Sequence, residues 1–156
     1  TVTTPHDPAG QRATAVALFN EVWTLLGTEN RAPEDDDRML HLAHASRYHW
    51  GEVGEPVNRV RGEWQCSRVY AELGRAEPAL HHAHRALEVC QQHGIGGFDL
   101  AFCYEALARA AAVGGDAAQR ERWLAEARTA AERVEDDDDR ELLQADLDTV
   151  PEVRST

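Results

Sequence analysis

Residues 64–90 read WQCSRVYAELGRAEPALHHAHRALEVC. Val69, Tyr70 and Leu73 lie before Gly74, and Ala79, Leu80, Ala83, Ala86, Leu87 and Cys90 lie after it, at three- and four-residue steps. That spacing places one apolar face on each of two helices, and the Leu73–Gly74–Arg75 break between them leaves room only for a tight turn. A helical hairpin is the unit this stretch predicts. Nothing elsewhere alternates at period two for long enough to make a strand, so the expected fold class is all-α.

The same reading extends outward. Ala15, Leu18, Phe19, Val22, Leu25 and Leu26 predict a first helix from Gly10 to Gly27. Pro33 suits a helix start, and Glu34 to Asp37 would lie in its first turn, where the helix dipole favours carboxylates. That second helix is expected from Pro33 to about Trp50, with Met39, Leu40, Ala43 and Trp50 inward. Pro56 opens the third helix and HGIGG closes the fourth. Leu100, Cys103 and Leu107 mark a fifth that stops at Gly114–Gly115, and Trp123, Leu124, Ala127, Ala131 and Val134 a sixth. EDDDD fits a seventh helix N-terminus, with Leu142, Leu143 and Leu147 as its apolar face and Pro151 as its end. The expected organisation is a flexible arm over 1–9, one helical domain over 10–150 and a tail over 151–156.

Helices three and four repeat in helices five and six at a spacing of about 40 residues, the periodicity of a helical solenoid. The 64–90 unit resembles a tetratricopeptide repeat (TPR). Cys66–Ser67 occupy the place of the family's Leu-Gly pair, Tyr70 that of its first-helix tyrosine, Gly74 that of its turn glycine, and Ala79, Ala83 and Ala86 those of its small residues. Small residues there let two helices approach closely. The second unit keeps Leu107–Ala108, Ala111, Gly115 and Ala127 but has Arg120 where a small residue is expected. The first helical pair, about 12–52, carries almost none of the motif. The resemblance implies antiparallel hairpins stacked as a short right-handed solenoid with an extra C-terminal helix; a closed bundle is the alternative.

Such a solenoid has a concave groove lined by the first helix of each hairpin. The family's groove positions carry over to Arg61, Trp64 and Arg68 on helix three and to Phe102, Glu105 and Arg109 on helix five. Arg68 and Arg109 would stand at equivalent heights and could clamp a carboxylate. Equally, each could pair with a neighbouring acid, Glu72 or Glu105.

The histidines supply a competing theme. His41, His44 and Tyr48 share a helical face in MLHLAHASRYHWGE, with His49 at the helix end, and His44 lies beside the apolar stripe, where partial burial is expected. Imidazoles so spaced can meet one metal ion or one substrate proton. The candidates are His44, Tyr48 and Glu105 for catalysis and His41, His44 and His49 for metal; ordinary hydrogen-bonded histidines are the alternative. No cofactor is predicted, a divalent transition metal being the one alternative. In HHAHRALEV, His81, His84 and Glu88 share an outward face flanked by His82, read as solvated surface.

Composition narrows the partners. Twenty-eight acids against 16 basic residues give a net charge of −12, and every basic residue is arginine. From Glu132 to Asp148 nine acids face two arginines. Nucleic acid is thereby disfavoured, since phosphate binding needs a convergent basic surface. No run is long and apolar enough for a membrane helix, and nothing at the N-terminus reads as a signal peptide. A cytoplasmic protein is expected. The widely spaced Cys66, Cys90 and Cys103 sit in apolar helical patterns, where small-hydrophobe packing is expected. Two functions follow: a non-catalytic module binding protein, peptide or its own symmetry mate, or a small enzyme or sensor with a His/Tyr/Arg-lined pocket.

Overall fold

The computed structural model describes residues 7–153. Among them are seven α-helices and no strand: α1 (Pro8–Leu26), α2 (Pro33–Val53), α3 (Pro56–Glu72), α4 (Ala76–His93), α5 (Gly97–Val113), α6 (Ala117–Ala131) and α7 (Asp137–Leu147). None is long and apolar enough to cross a membrane.

Local chemistry starts them where the sequence predicts, with small shifts. Proline opens α1, α2 and α3, where its missing N–H costs nothing. Asp7 accepts from the Gly10 N–H at 3.0 Å, so α1 begins two residues before Gly10. Residues 1–6 of the expected arm lie outside the described residues, as do 154–156 of the tail. Asp136 caps α7 through the Asp139 N–H at 2.9 Å, and Asp137, Asp138 and Asp139 fill the first turn. The acidic run does there what a helix N-terminus asks of it.

The helices pair as α1–α2, α3–α4 and α5–α6. Each hairpin also meets the next through α2–α3 and α4–α5, and α1, α3 and α5 touch in sequence. Two turns share one geometry. Gly74 has φ +75° and Gly115 has φ +76°, and Arg75 and Asp116 each donate back to a carbonyl five residues earlier. Glycine adopts that left-handed conformation without a Cβ penalty. Gly114, the α5 C-cap, keeps a right-handed conformation at φ −79°, so Gly74 corresponds to Gly115.

Side-chain hydroxyls and amides fasten neighbouring helices by donating to helical carbonyls. Ser46 Oγ reaches the Ala15 carbonyl at 2.8 Å, Gln65 Nε2 that of Phe19 at 3.0 Å, and Ser67 Oγ that of Ala79 at 2.7 Å. Around them lies a continuous core from Val60 and Trp64 through Leu107 and Leu124 to Leu143, Leu147 and Val150, with a second cluster centred on Val22, Met39 and Val69. All three cysteines are free and buried, and Cys90 and Cys103 bring their sulfurs to 3.6 Å between α4 and α5.

The structure corrects two inward faces. Leu142 is 58% exposed, and the buried edge of α7 runs instead through Leu143 and Leu147. On α2 the buried edge holds Met39, Leu42, Ala43, Ser46 and Trp50, which leaves His44 beside that edge, open to solvent on one side and turned toward Tyr70 of α3 on the other. Arg120 also finds its reason. It donates to the Pro151 carbonyl at 2.6 Å, tying α6 to the segment after α7, where a small residue could not reach.

Candidate functional site

Helix α3 presents two polar faces because its polar residues fall on two stripes. Arg61, Trp64 and Arg68 face α5 and α7, whereas Glu63, Cys66 and Tyr70 face α2 and α4.

The first stripe builds an aromatic recess of about 300 Å³. Phe19 and Trp23 on α1, Trp64 on α3, and Phe98 and Phe102 on α5 line it, with Leu142 of α7 at its margin. Trp64 lies 5.4 Å from the Trp23 ring centroid and 5.5 Å from that of Phe102, and Phe98 meets Phe102 at 4.7 Å. Trp23 remains 40% exposed while Trp64 is buried, so the recess has a fixed floor and an open wall. Arg61 sits at the rim, bonded to both carboxylate oxygens of Asp99 at 2.8 and 3.2 Å.

Beneath the recess the two expected clamp arginines stand together, but their acids are already in place. Arg109 grips Glu105 at 2.7 and 2.8 Å and donates to Thr149 Oγ1 at 2.7 Å and to the Asp146 carbonyl at 3.1 Å. Arg68 forks onto the Asp146 carboxylate at 3.1 and 3.2 Å and lies 3.6 Å from Glu105. Trp64 Nε1 completes the set by donating to Glu105 Oε2 at 3.1 Å. Burial pushes the Glu105 carboxyl up, against the pull of Arg109, Arg68 and the indole N–H. Burial also works against the charge on Arg68, yet Glu105 and Asp146 beside it leave its guanidinium above its ordinary value. The partner expected from sequence was Glu72 or Glu105; Asp146 comes from a helix whose position no local pattern discloses.

The second stripe gathers a histidine cluster. Glu63 accepts from Arg47 Nε at 2.9 Å and pairs with His82 Nδ1 at 2.7 Å. Burial raises the Glu63 carboxyl, but His82 and Arg47 outweigh it and hold it below the usual carboxylate range. His82 stacks on Tyr70 with centroids 5.6 Å apart, and His44 Nε2 meets the Tyr70 hydroxyl at 2.9 Å. Partial desolvation and the neighbouring His82 hold His44 below its ordinary value. Cys66 lies 3.9 Å from His44 Nδ1, but burial pushes its thiol up to about 12, far from a usable thiolate.

The sequence candidates are therefore divided. Arg61, Trp64, Arg68, Phe102, Glu105 and Arg109 converge on or beneath the recess, and Phe19, Trp23, Phe98, Asp99, Leu142 and Asp146 join them. His44 belongs to the other face of α3. Tyr48, 55% exposed, meets His49 edge to face at 5.4 Å, while His41 is exposed on α2. His82, read as solvated from sequence, is turned inward, whereas His81 and His84 are exposed. Among the described residues no three His, Cys, Asp or Glu side chains form a group that could hold a metal ion.

No protein-family model, curated protein or solved structure matches this chain. Function has to be read from the site itself. The recess offers ring faces and apolar depth to an incoming group. The network under it holds the Trp64 indole N–H, and its charged groups are already paired with one another.

Proposed function

We propose that this chain is a non-catalytic module that binds a protein or peptide segment in the groove around Trp64, Arg68 and Arg109. In this reading the three hairpins form a short, right-handed TPR-like solenoid closed by α7. One observation carries the proposal: five aromatic side chains from three helices line an open recess of about 300 Å³. Concave, mostly apolar sites of this size, with a few fixed polar groups at the edge, suit a bulky side chain of a partner. An exposed tryptophan over such a recess has a solvation cost that a bound partner removes.

The second reading, a small enzyme or sensor, draws on the Glu63–His82 and His44–Tyr70 pairs. A carboxylate that orients an imidazole through Nδ1 is a common preparation for proton transfer. That cluster lies on the opposite stripe of α3 from the recess, so a substrate seated among the aromatics would not meet it.

Selection of a random displayed peptide library on the full chain tests the binding reading, with the recess-filling variant Leu142→Trp as comparator. Enriched peptides should bind the wild-type chain and lose about tenfold or more on the filled variant, since a buried aromatic anchor carries roughly 2 kcal/mol or more. Unchanged thermal melting of the variant shows that its fold is kept. Absence of enrichment, or enriched peptides indifferent to Leu142→Trp, would overturn the proposal.

A further inference from the structure

The charges around the recess select its occupant. Two arginines in a groove invite the idea of an anionic ligand, but both already have carboxylate partners. Arg109 is spent on Glu105, Thr149 and two main-chain carbonyls, and Arg68 on Asp146. A carboxylate arriving from outside would have to displace Glu105 or Asp146 and strand a carboxylate that now has its partner. That exchange gains nothing.

At and beneath the recess, Asp99, Glu105 and Asp146 balance Arg61, Arg109 and Arg68 as three pairs. Asp139, half-buried and one turn before the recess-lining Leu142 on α7, adds an acid beyond those pairs. The other acids of the α7 first turn lie further off, where Arg140 pairs with Asp137. The whole chain carries −12. Arg61 lies among these acids. The hydrogen bond it donates to Asp99 outweighs its desolvation, and Asp139 adds to the attraction, so its charged form is favoured. Aromatic walls point the same way, because ring faces attract cations. The chain already uses that contact, with the Arg68 guanidinium 5.8 Å from the Trp64 ring.

We infer that the occupant of the recess is a cationic segment of a partner protein, with an aromatic or large aliphatic side chain in the recess and an adjacent arginine or lysine against the Asp139 side of α7. The inference rests on the binding reading above and adds the partner's charge.

The experiment reads the composition of the peptides selected above and then their response to charge. Enriched sequences should pair a bulky apolar residue with arginine or lysine. The best of them should bind about two- to fivefold more weakly to Asp139→Asn, the loss typical of one exposed charge pair. It should weaken further on Asp139→Arg and as salt is raised. Enrichment in aspartate or glutamate, or full affinity for Asp139→Arg, would overturn the cationic assignment while leaving the recess a binding site. No recess-dependent enrichment at all would overturn both. Concentration-dependent dimerisation abolished by Leu142→Trp would assign the recess to a second copy of this chain and overturn the cationic partner.

Discussion

At the scale of single residues the Glu105–Arg109 pair dominates. Glu105 is fully buried and Arg109 is 7% exposed, so neither charge can turn to water when its partner is lost. Removing one member of such a pair leaves an uncompensated buried charge, which costs about 3–5 kcal/mol. Arg109→Met should therefore lower the urea midpoint severely. Arg109→Met combined with Glu105→Gln should recover part of the loss, because the stranded carboxylate is gone. A double variant no more stable than the single one would show that lost packing, not lost charge compensation, sets the cost. In the sequence both residues were groove positions only by family resemblance, and the structure holds them buried beneath the recess. Residues four apart on a helix are neighbours, and Glu105 was one of the two acids the sequence offered these arginines; the full burial of the pair is what it did not disclose.

Among elements, α7 most rewards comparison of adjacent positions. Leu143 is fully buried in the main core, while Leu142, one residue earlier, is 58% exposed at the recess margin. Leu143→Ala should cost about 2–5 kcal/mol of unfolding free energy, as truncation of a packed leucine does. Leu142→Ala should stay within about 0.5 kcal/mol. Chemical denaturation of the two variants settles the contrast, and equal losses would mean that α7 is rotated relative to this description. Sequence periodicity reads Leu142, Leu143 and Leu147 alike, because two adjacent leucines on one short helix do not say which faces inward. Packing against α5 and α6, with Arg120 holding the chain beyond it, makes the choice.

Across the whole molecule, the junction between the first two hairpins is a titratable one. His44 and Arg47 from α2, Glu63, Cys66 and Tyr70 from α3 and His82 from α4 meet there, and His41 adds its charge nearby. His44 has a folded value below that of the unfolded imidazole, so the unfolded chain takes up its proton first. Its contribution is full above the unfolded value, near 6.5, and declines as pH falls from there through the folded value. The carboxyl of Glu63, also depressed, contributes above its unfolded value and loses that contribution in stronger acid. Thermal melting should therefore fall between pH 7.5 and 5.5, and the fall should shrink in His44→Phe. An identical decline in that variant would remove His44 as its source.

Helix existence and helix starts were determined by the sequence itself, because proline at a first turn, aspartate at a cap and glycine in a left-handed turn act within a few residues. The six groove positions came from the family resemblance and not from local spacing; the structure gathers their side chains on or beneath the recess. Trp23 was the overlooked signal: a large aromatic residue off the apolar stripe of α1, four residues from Phe19, with no core reason to be there. Phe98 and Asp99 at the start of α5 carried no comparable sign. Only tertiary structure brought Asp146 to Arg68, turned His82 toward Glu63 and divided the candidates between the two faces of α3. Those choices depend on which distant charges and ring faces share a desolvated space, and no local spacing encodes a distance between helices.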